Sequence, residues 1–180
     1  RQERALYVGI PSRLEFEVPA GRDGTALAAA AWAEFDRIGE RFNPFSPTSD
    51  VGRLNARAGA TTAEVPAEVV ELLDLGRDLW TATHKAFDPT VWPLKKLWRD
   101  AERTGEAPAR TAIAAALARV GLDQVHVDGP SSVSFDRPDV TLDFGGIAKG
   151  YAVDRAGAVL RAAGVASGLV QCGGEIAFWG

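Results

Sequence analysis

A chain of 180 residues with Lys+Arg 20 against Asp+Glu 24, a net charge of −4, is short for two full domains and has the wrong sign for holding a nucleic-acid duplex or an anionic membrane. One cysteine excludes an internal disulfide and a cysteine-rich zinc site, and the 46% hydrophobic residues are dispersed, with no apolar run of bilayer length. With no Met in the chain, Arg1 is expected to be a processed start or the edge of something longer.

Residues 7–18 alternate apolar and polar through Leu14, Phe16 and Val18, which predicts a strand, with Pro11 marking an edge or bend. Asp23 or Thr25 caps a helix with Leu27, Ala31, Phe35, Ile38 and Phe42 at helical spacing, stopped by Asn43, Pro44 and Pro47. Ser49 is the expected N-cap of one or two turns carrying Val51, Leu54 and Asn55 toward Gly59. Val65-Pro66 introduces a helix through Thr83 whose apolar face holds Val69, Leu72, Leu73, Leu75, Leu79 and Trp80. KAFDPTVWPLKKLW reads as a Pro-containing loop. A short helix over 111–120 precedes three strands at 124–127, 132–135 and 140–142, arranged as a meander. DFGGIAKGYAVD then reads as a strand ending in two glycines and a helix to about Ala163, closed by Gly164. SGLVQCGGEIAFWG reads as two short strands around Gly173-Gly174. Strands and helices mix without βαβ alternation, so the expected class is α+β, with mixed antiparallel strands and packed helices in one domain over 1–180.

The sharpest local feature runs from Asp143 to Gly150. A strand exit, a glycine pair and a new helix leave backbone N–H groups and the positive end of a helix dipole facing one spot, which suits a phosphate. Lys149 falls in the first helical turn, where the dipole disfavours a cation unless an anion lies nearby; the alternative is an exposed lysine. The spacing is neither that of a P-loop nor GxGxxG. Asp143 could accept hydrogen bonds from an imide, amide or ribose, and the turn carbonyls could ligate a hard cation. Asp154 reads equally as an ordinary surface or core-anchoring carboxylate.

Pro89 biases Asp88 to an extended backbone, so its carboxylate projects beside the flat ring of Phe87, an arrangement that suits a nucleobase or flavin. The alternative is that Phe87 is core and Asp88 caps the following turn. Phe45 could likewise stack on a ring, or be the buried pin of a Pro-rich loop. His84 and His126 lack metal-ligand spacing, and Cys172, in a strand that reads as buried, is an inert thiol.

Taken together, NPFSPTSDVGRLN, AFDPTVWPLKKLW, DFGGIAKGYAVD and QCGGEI stand in the order and at separations similar to those of the ApbE family, the FAD:protein FMN transferases. The chain resembles that family from about Tyr7 to its end. The resemblance implies an α+β fold related to the tunnelling fold, FAD as substrate and Mg²⁺ as metal. It also implies transfer of the FMN part of FAD to a Ser or Thr hydroxyl of a target protein with release of AMP. Some members hydrolyse FAD to FMN and AMP, and a non-catalytic FAD-binding module is the alternative of another class.

By position, Ala86, Phe87 and Asp88 resemble an FAD-contacting loop, and Asp143 and Lys149 resemble flavin and phosphate contacts with a part in catalysis. The Gly146 carbonyl resembles a backbone ligand to Mg²⁺, a place more often filled by alanine. Phe45 stands where Tyr is frequent, and Val8, in Val8-Gly9-Ile10, aligns with a further cofactor contact where the family reads Met-Gly-Thr. The family continues past the equivalent of Gly180 with a His-x-x-Asp-Pro segment and an Asp/Thr pair that completes the metal site. The chain is therefore expected to be an FAD-binding domain lacking that C-terminal segment. An exported, periplasmic or membrane-anchored location, with any anchor outside this chain, is a further expectation of the resemblance.

Overall fold

The computed structural model describes residues 1–7, 9–59 and 62–180. In chain order the elements are β1 (Gln2–Leu6), β2 (Ile10–Phe16), α1 (Gly24–Arg41), α2 (Asp50–Asn55), β3 (Ala63–Glu64), α3 (Ala67–Ala82), α4 (Trp92–Thr104), α5 (Arg110–Leu117), β4 (Val125–Gly129), β5 (Ser132–Phe135), α6 (Ala148–Ala162), β6 (Gly168–Cys172) and β7 (Glu175–Trp179). A short 3-10 turn, Leu122–Gln124, precedes β4. The chain forms two compact units, one made of Arg1–Arg41 with Ile147–Gly180 and the other of Phe42–Gly146.

The first unit is a two-layer arrangement. Its sheet has the order β1-β2-β6-β7, antiparallel throughout. The register pairs Leu14 with Val170 and Ser12 with Cys172, so the period of two puts these four buried side chains on one face. Helix α1 buries Leu27, Ala31, Trp32, Phe35 and Ile38, the residues whose helical spacing predicts it, and packs against α6. On α6 the buried residues are mostly small, Ala152, Ala156 and Gly157, with Val153 and Leu160 filling the layer beneath. Fully buried Leu14, Phe35 and Leu160 each contribute roughly 1.5–3 kcal/mol by area removed from water.

The strand predicted over 7–18 begins only at Ile10, and β1 is an additional strand in front of it. QERAL has no alternating pattern because β1 lies at the sheet edge and buries only Leu6.

In the second unit Ser49 caps α2 as expected: its hydroxyl oxygen accepts from the Gly52 N–H at 2.8 Å while its O–H donates to the Asn43 carbonyl at 2.6 Å. Helix α3 buries Val69, Val70, Leu72, Leu73 and Gly76. The loop expected over KAFDPTVWPLKKLW holds only at its start, since α4 occupies Trp92–Thr104. Pro93 sits in the first turn, where its missing N–H has no intrahelical partner to lose, and Gly105, with φ 76°, closes the other end.

The three-stranded sheet has the order β3-β5-β4, so two of the three expected strands form and the third place is taken by Ala63–Glu64. Residues 140–142 are not a strand. The Leu142 N–H donates to the Asn55 side-chain oxygen at 2.8 Å, and its carbonyl accepts from the Asn55 amide at 2.9 Å. One side-chain amide thus satisfies both backbone groups and replaces a ladder partner. Among the described residues no helix is long and apolar enough to cross a membrane.

Candidate functional site

In the second unit, α3 ends in two consecutive left-handed residues, His84 (φ 52°) and Lys85 (φ 70°), closed by the Lys85 N–H on the Trp80 carbonyl at 2.7 Å. This turn leaves Ala86 exposed and Phe87 half-buried. The edge of the Phe87 ring lies over Gly146, close enough that a Cβ there would sit 3.0 Å from Phe87 Cε2.

Asp88 does what its capping alternative describes. One carboxylate oxygen accepts from the Thr90 N–H at 2.7 Å and the Thr90 hydroxyl at 2.6 Å. The other accepts from Trp80 Nε1 at 3.1 Å and the Leu122 N–H at 3.2 Å. Buried Thr90 in turn accepts from the Gly121 N–H at 2.8 Å, which ties the loop to the turn before β4.

Asp143 is only 6% exposed and is the one charged residue in the buried set of the described residues. Its backbone N–H donates to the Pro89 carbonyl at 2.7 Å. Its Oδ1 accepts from the Gly145 N–H at 2.8 Å, and its Oδ2 accepts from the Lys95 ammonium. One of the glycine-turn N–H groups expected to be free is therefore used by Asp143 itself. Phe45 is 60% exposed, not the buried pin of its loop, and its ring meets Trp92 at 4.6 Å between centroids with a 56° tilt. The Lys95 ammonium and the Arg99 guanidinium each lie 5.7 Å from the Trp92 ring centroid, within cation–π range. Phe45 also lines a cavity of about 320 Å³ with Pro44, Pro47 and Arg53.

In the first unit, Lys149 is the second residue of α6, and its ammonium lies 3.1 Å from Glu175 Oε1. The anion that the helix dipole calls for beside this cation is Glu175, so Lys149 is not a free surface lysine. Glu175 opens β7 opposite Cys172, after the turn at Gly173, whose φ of +62° favours glycine. Cys172 is fully buried, and that burial pushes its thiol pKa up, which agrees with an inert residue.

The predicted residues Phe45, Ala86, Phe87, Asp88, Asp143 and Gly146 thus lie in the second unit and Lys149 in the first; Val8 lies outside the described residues. Three residues that sequence reasoning does not select meet candidate residues within their own unit: Trp92 and Lys95 in the second, Glu175 in the first. Trp92 and Lys95 needed α4 to be recognised, and Glu175 needed the β6-β7 register. Among the described residues no three His, Cys, Asp or Glu side chains are grouped to hold a metal ion.

The ApbE family model matches residues 8–180, and the chain belongs to the ApbE family. A FAD:protein FMN transferase of Klebsiella pneumoniae (strain 342) is 31% identical over 156 residues, which make up 84% of this chain and 45% of that protein. The ApbE protein of Thermotoga maritima superposes with a TM-score of 0.85 at 29% identity, over 99% of this chain and 58% of that one. The flavin transferase ApbE of Vibrio cholerae superposes with a TM-score of 0.88 at 23% identity, over 99% of this chain and 58% of that one, a likeness of fold. The chain spans about half the length of the curated relatives it matches.

Proposed function

We propose that this chain takes FAD as substrate and moves its FMN part, with magnesium, onto a Ser or Thr hydroxyl of a target protein, releasing AMP. The observation that carries the reading is family membership over residues 8–180, including the run that holds Asp143, the glycine pair and Lys149. Residue chemistry supports the roles. The Asp143 carboxylate has two donors fixed on it and keeps lone pairs for a further N–H, such as a flavin imide. Lys149 supplies an ammonium with three donors for a diphosphate, and Phe45 and Phe87 offer rings to a flat ligand.

In the transfer step the acceptor oxygen attacks the FMN phosphorus, the bond from that phosphorus to the bridging oxygen breaks, and AMP leaves with that oxygen. The hydroxyl proton passes to solvent or to AMP. Magnesium would neutralise charge on the diphosphate, which brings oxygen ligands of its own. Among the described residues no three His, Cys, Asp or Glu side chains group to hold it, and the Gly146 carbonyl is the ligand position in this chain that the resemblance assigns.

Incubation with FAD, MgCl₂ and a candidate acceptor protein, followed by chromatography, tests the reading. AMP with flavin retained on protein supports transfer. AMP with equal free FMN makes the chain a FAD hydrolase instead, bound FAD without AMP makes it a binding module instead, and the absence of both AMP and bound FAD refutes the FAD reading altogether. An exported setting, periplasmic or membrane-anchored, belongs to the same proposal and is tested by fractionating cells that make the native protein.

A further inference from the structure

We infer that Lys95 is a positioning residue: it holds the Asp143 carboxylate in the orientation that receives the isoalloxazine ring. This rests on the FAD reading above. Asp143 is buried, and a buried carboxylate is costly unless it is paired and hydrogen-bonded. Its backbone is fixed by Pro89 and its Oδ1 by the Gly145 N–H, which leaves Oδ2 to one partner, the Lys95 ammonium. Lys95 reaches it from the first turn of α4, a helix started by buried Pro93, and its side chain stays nearly half exposed. The ammonium also lies near the Trp92 ring, which is in contact with exposed Phe45. The carboxylate is thus held from two sides by donors of the same unit, and each oxygen keeps a lone pair for a third.

The two sides are unequal. The Gly145 N–H belongs to the turn that carries Asp143, so it follows any movement of that turn, whereas Lys95 stands on a separate helix and sets the carboxylate against the rest of the unit. Removing the ammonium frees the carboxylate to rotate toward solvent and lose its aim. A ligand lacking the isoalloxazine ring makes no use of that aim.

The test measures binding of two probes, FAD and ADP, to the full chain by calorimetry. Lys95→Met, which keeps an unbranched side chain without the charge, is expected to raise the Kd for FAD about 10-fold, the size of one lost charge-assisted hydrogen bond, and to leave ADP unchanged. Lys95→Arg restores FAD binding to within about 3-fold of the parent, because a guanidinium supplies the same charge. In an Asp143→Asn background, where no buried charge needs a partner, Lys95→Met has no further effect on FAD; this pair decides the matter even where Lys95→Met alone does not fold. Unchanged FAD affinity in Lys95→Met, an equal loss for ADP, or a further loss in the Asp143→Asn background overturns the inference. A parent chain that binds no FAD overturns the functional reading on which it rests.

Discussion

Replacing Asp88 by alanine asks whether that carboxylate serves the fold or a ligand. Four donors converge on its two oxygens, and the closest two, at 2.6 and 2.7 Å, belong to Thr90, a residue with no exposed surface. Removal strands the Thr90 N–H and hydroxyl away from water, at about 1–3 kcal/mol for each unsatisfied group. The Leu122 N–H, on an equally buried residue, and Trp80 Nε1, on a half-buried ring, are held at 3.2 and 3.1 Å, longer and weaker bonds that add less. Counting mainly the Thr90 pair, we predict a loss of about 3–4 kcal/mol, or a fall in Tm of roughly 6–15 °C for a chain of this length. Asp88→Asn keeps an acceptor for Thr90 but turns an NH₂ toward two N–H donors, so about 2 kcal/mol is expected. Urea denaturation followed by tryptophan fluorescence, with the slope checked against the parent, measures both. A change within about 0.5 kcal/mol for Asp88→Ala, together with lost FAD affinity, would assign the carboxylate to the ligand and refute the structural account.

Three further predictions follow from single contacts. Lys149→Ala is expected to abolish or sharply reduce AMP release while moving stability by less than about 1 kcal/mol, since its pair with Glu175 is partly exposed; equal activity counts against the phosphate role. Gly146→Ala places a Cβ 3.0 Å from the Phe87 ring edge, and a half-buried ring can yield a few tenths of an ångström, so thermal melting should register a loss below about 1 kcal/mol. A loss above about 2 kcal/mol would mean that the loop carrying Phe87 is rigid. Tyr7 donates its hydroxyl to the Phe35 carbonyl at 2.7 Å, and burial, with smaller effects of Cys172 and Asp36, pushes its pKa well above the ordinary 10.0. The fold therefore favours the neutral phenol. Stability from this group is complete below pH 10 and falls as pH rises from there toward the folded value, because the unfolded chain ionises first. Tyr7→Phe should flatten that alkaline limb in urea midpoints at a cost of about 1 kcal/mol at neutral pH; parallel limbs in the two proteins would contradict the assignment.

Much of the fold was legible because its main helices are one-sided. The spacing Leu27, Ala31, Phe35 and Ile38 is the buried stripe of α1, and the run from Val69 to Leu73 is that of α3. Ser49 announced its cap because a hydroxyl before a short apolar run has one cheap use. What failed was local punctuation read without position. Pro93 looked like a breaker, yet in a first turn it starts α4, and the left-handed Gly105 twelve residues later is the matching end. The strand expected at 140–142 failed for a tertiary reason: its partner is the Asn55 side chain, 87 residues away, and no local pattern encodes it. The candidate residues show the same division. Asp88, Asp143 and Lys149 stand out by their neighbours in sequence, whereas Lys95 and Glu175 matter through the carboxylate or ammonium they meet in space.

That division bears on how a chain of net charge −4 could hold a substrate carrying a diphosphate. Net charge governs the approach of a ligand from beyond the Debye length, about 8–10 Å in physiological salt, while binding depends on the few charges inside it. Lys149 is already met by the Glu175 carboxylate, so it is not a bare cation that a passing phosphate would capture. An ammonium has three donors and can keep its carboxylate while serving a second acceptor, which selects a ligand that satisfies the remaining donors in a fixed geometry over one that merely brings charge. Selectivity of this kind falls on shape and hydrogen-bond pattern, so FAD affinity should fall less steeply with salt than that of inorganic pyrophosphate, and titration of both ligands across a range of NaCl concentrations decides it.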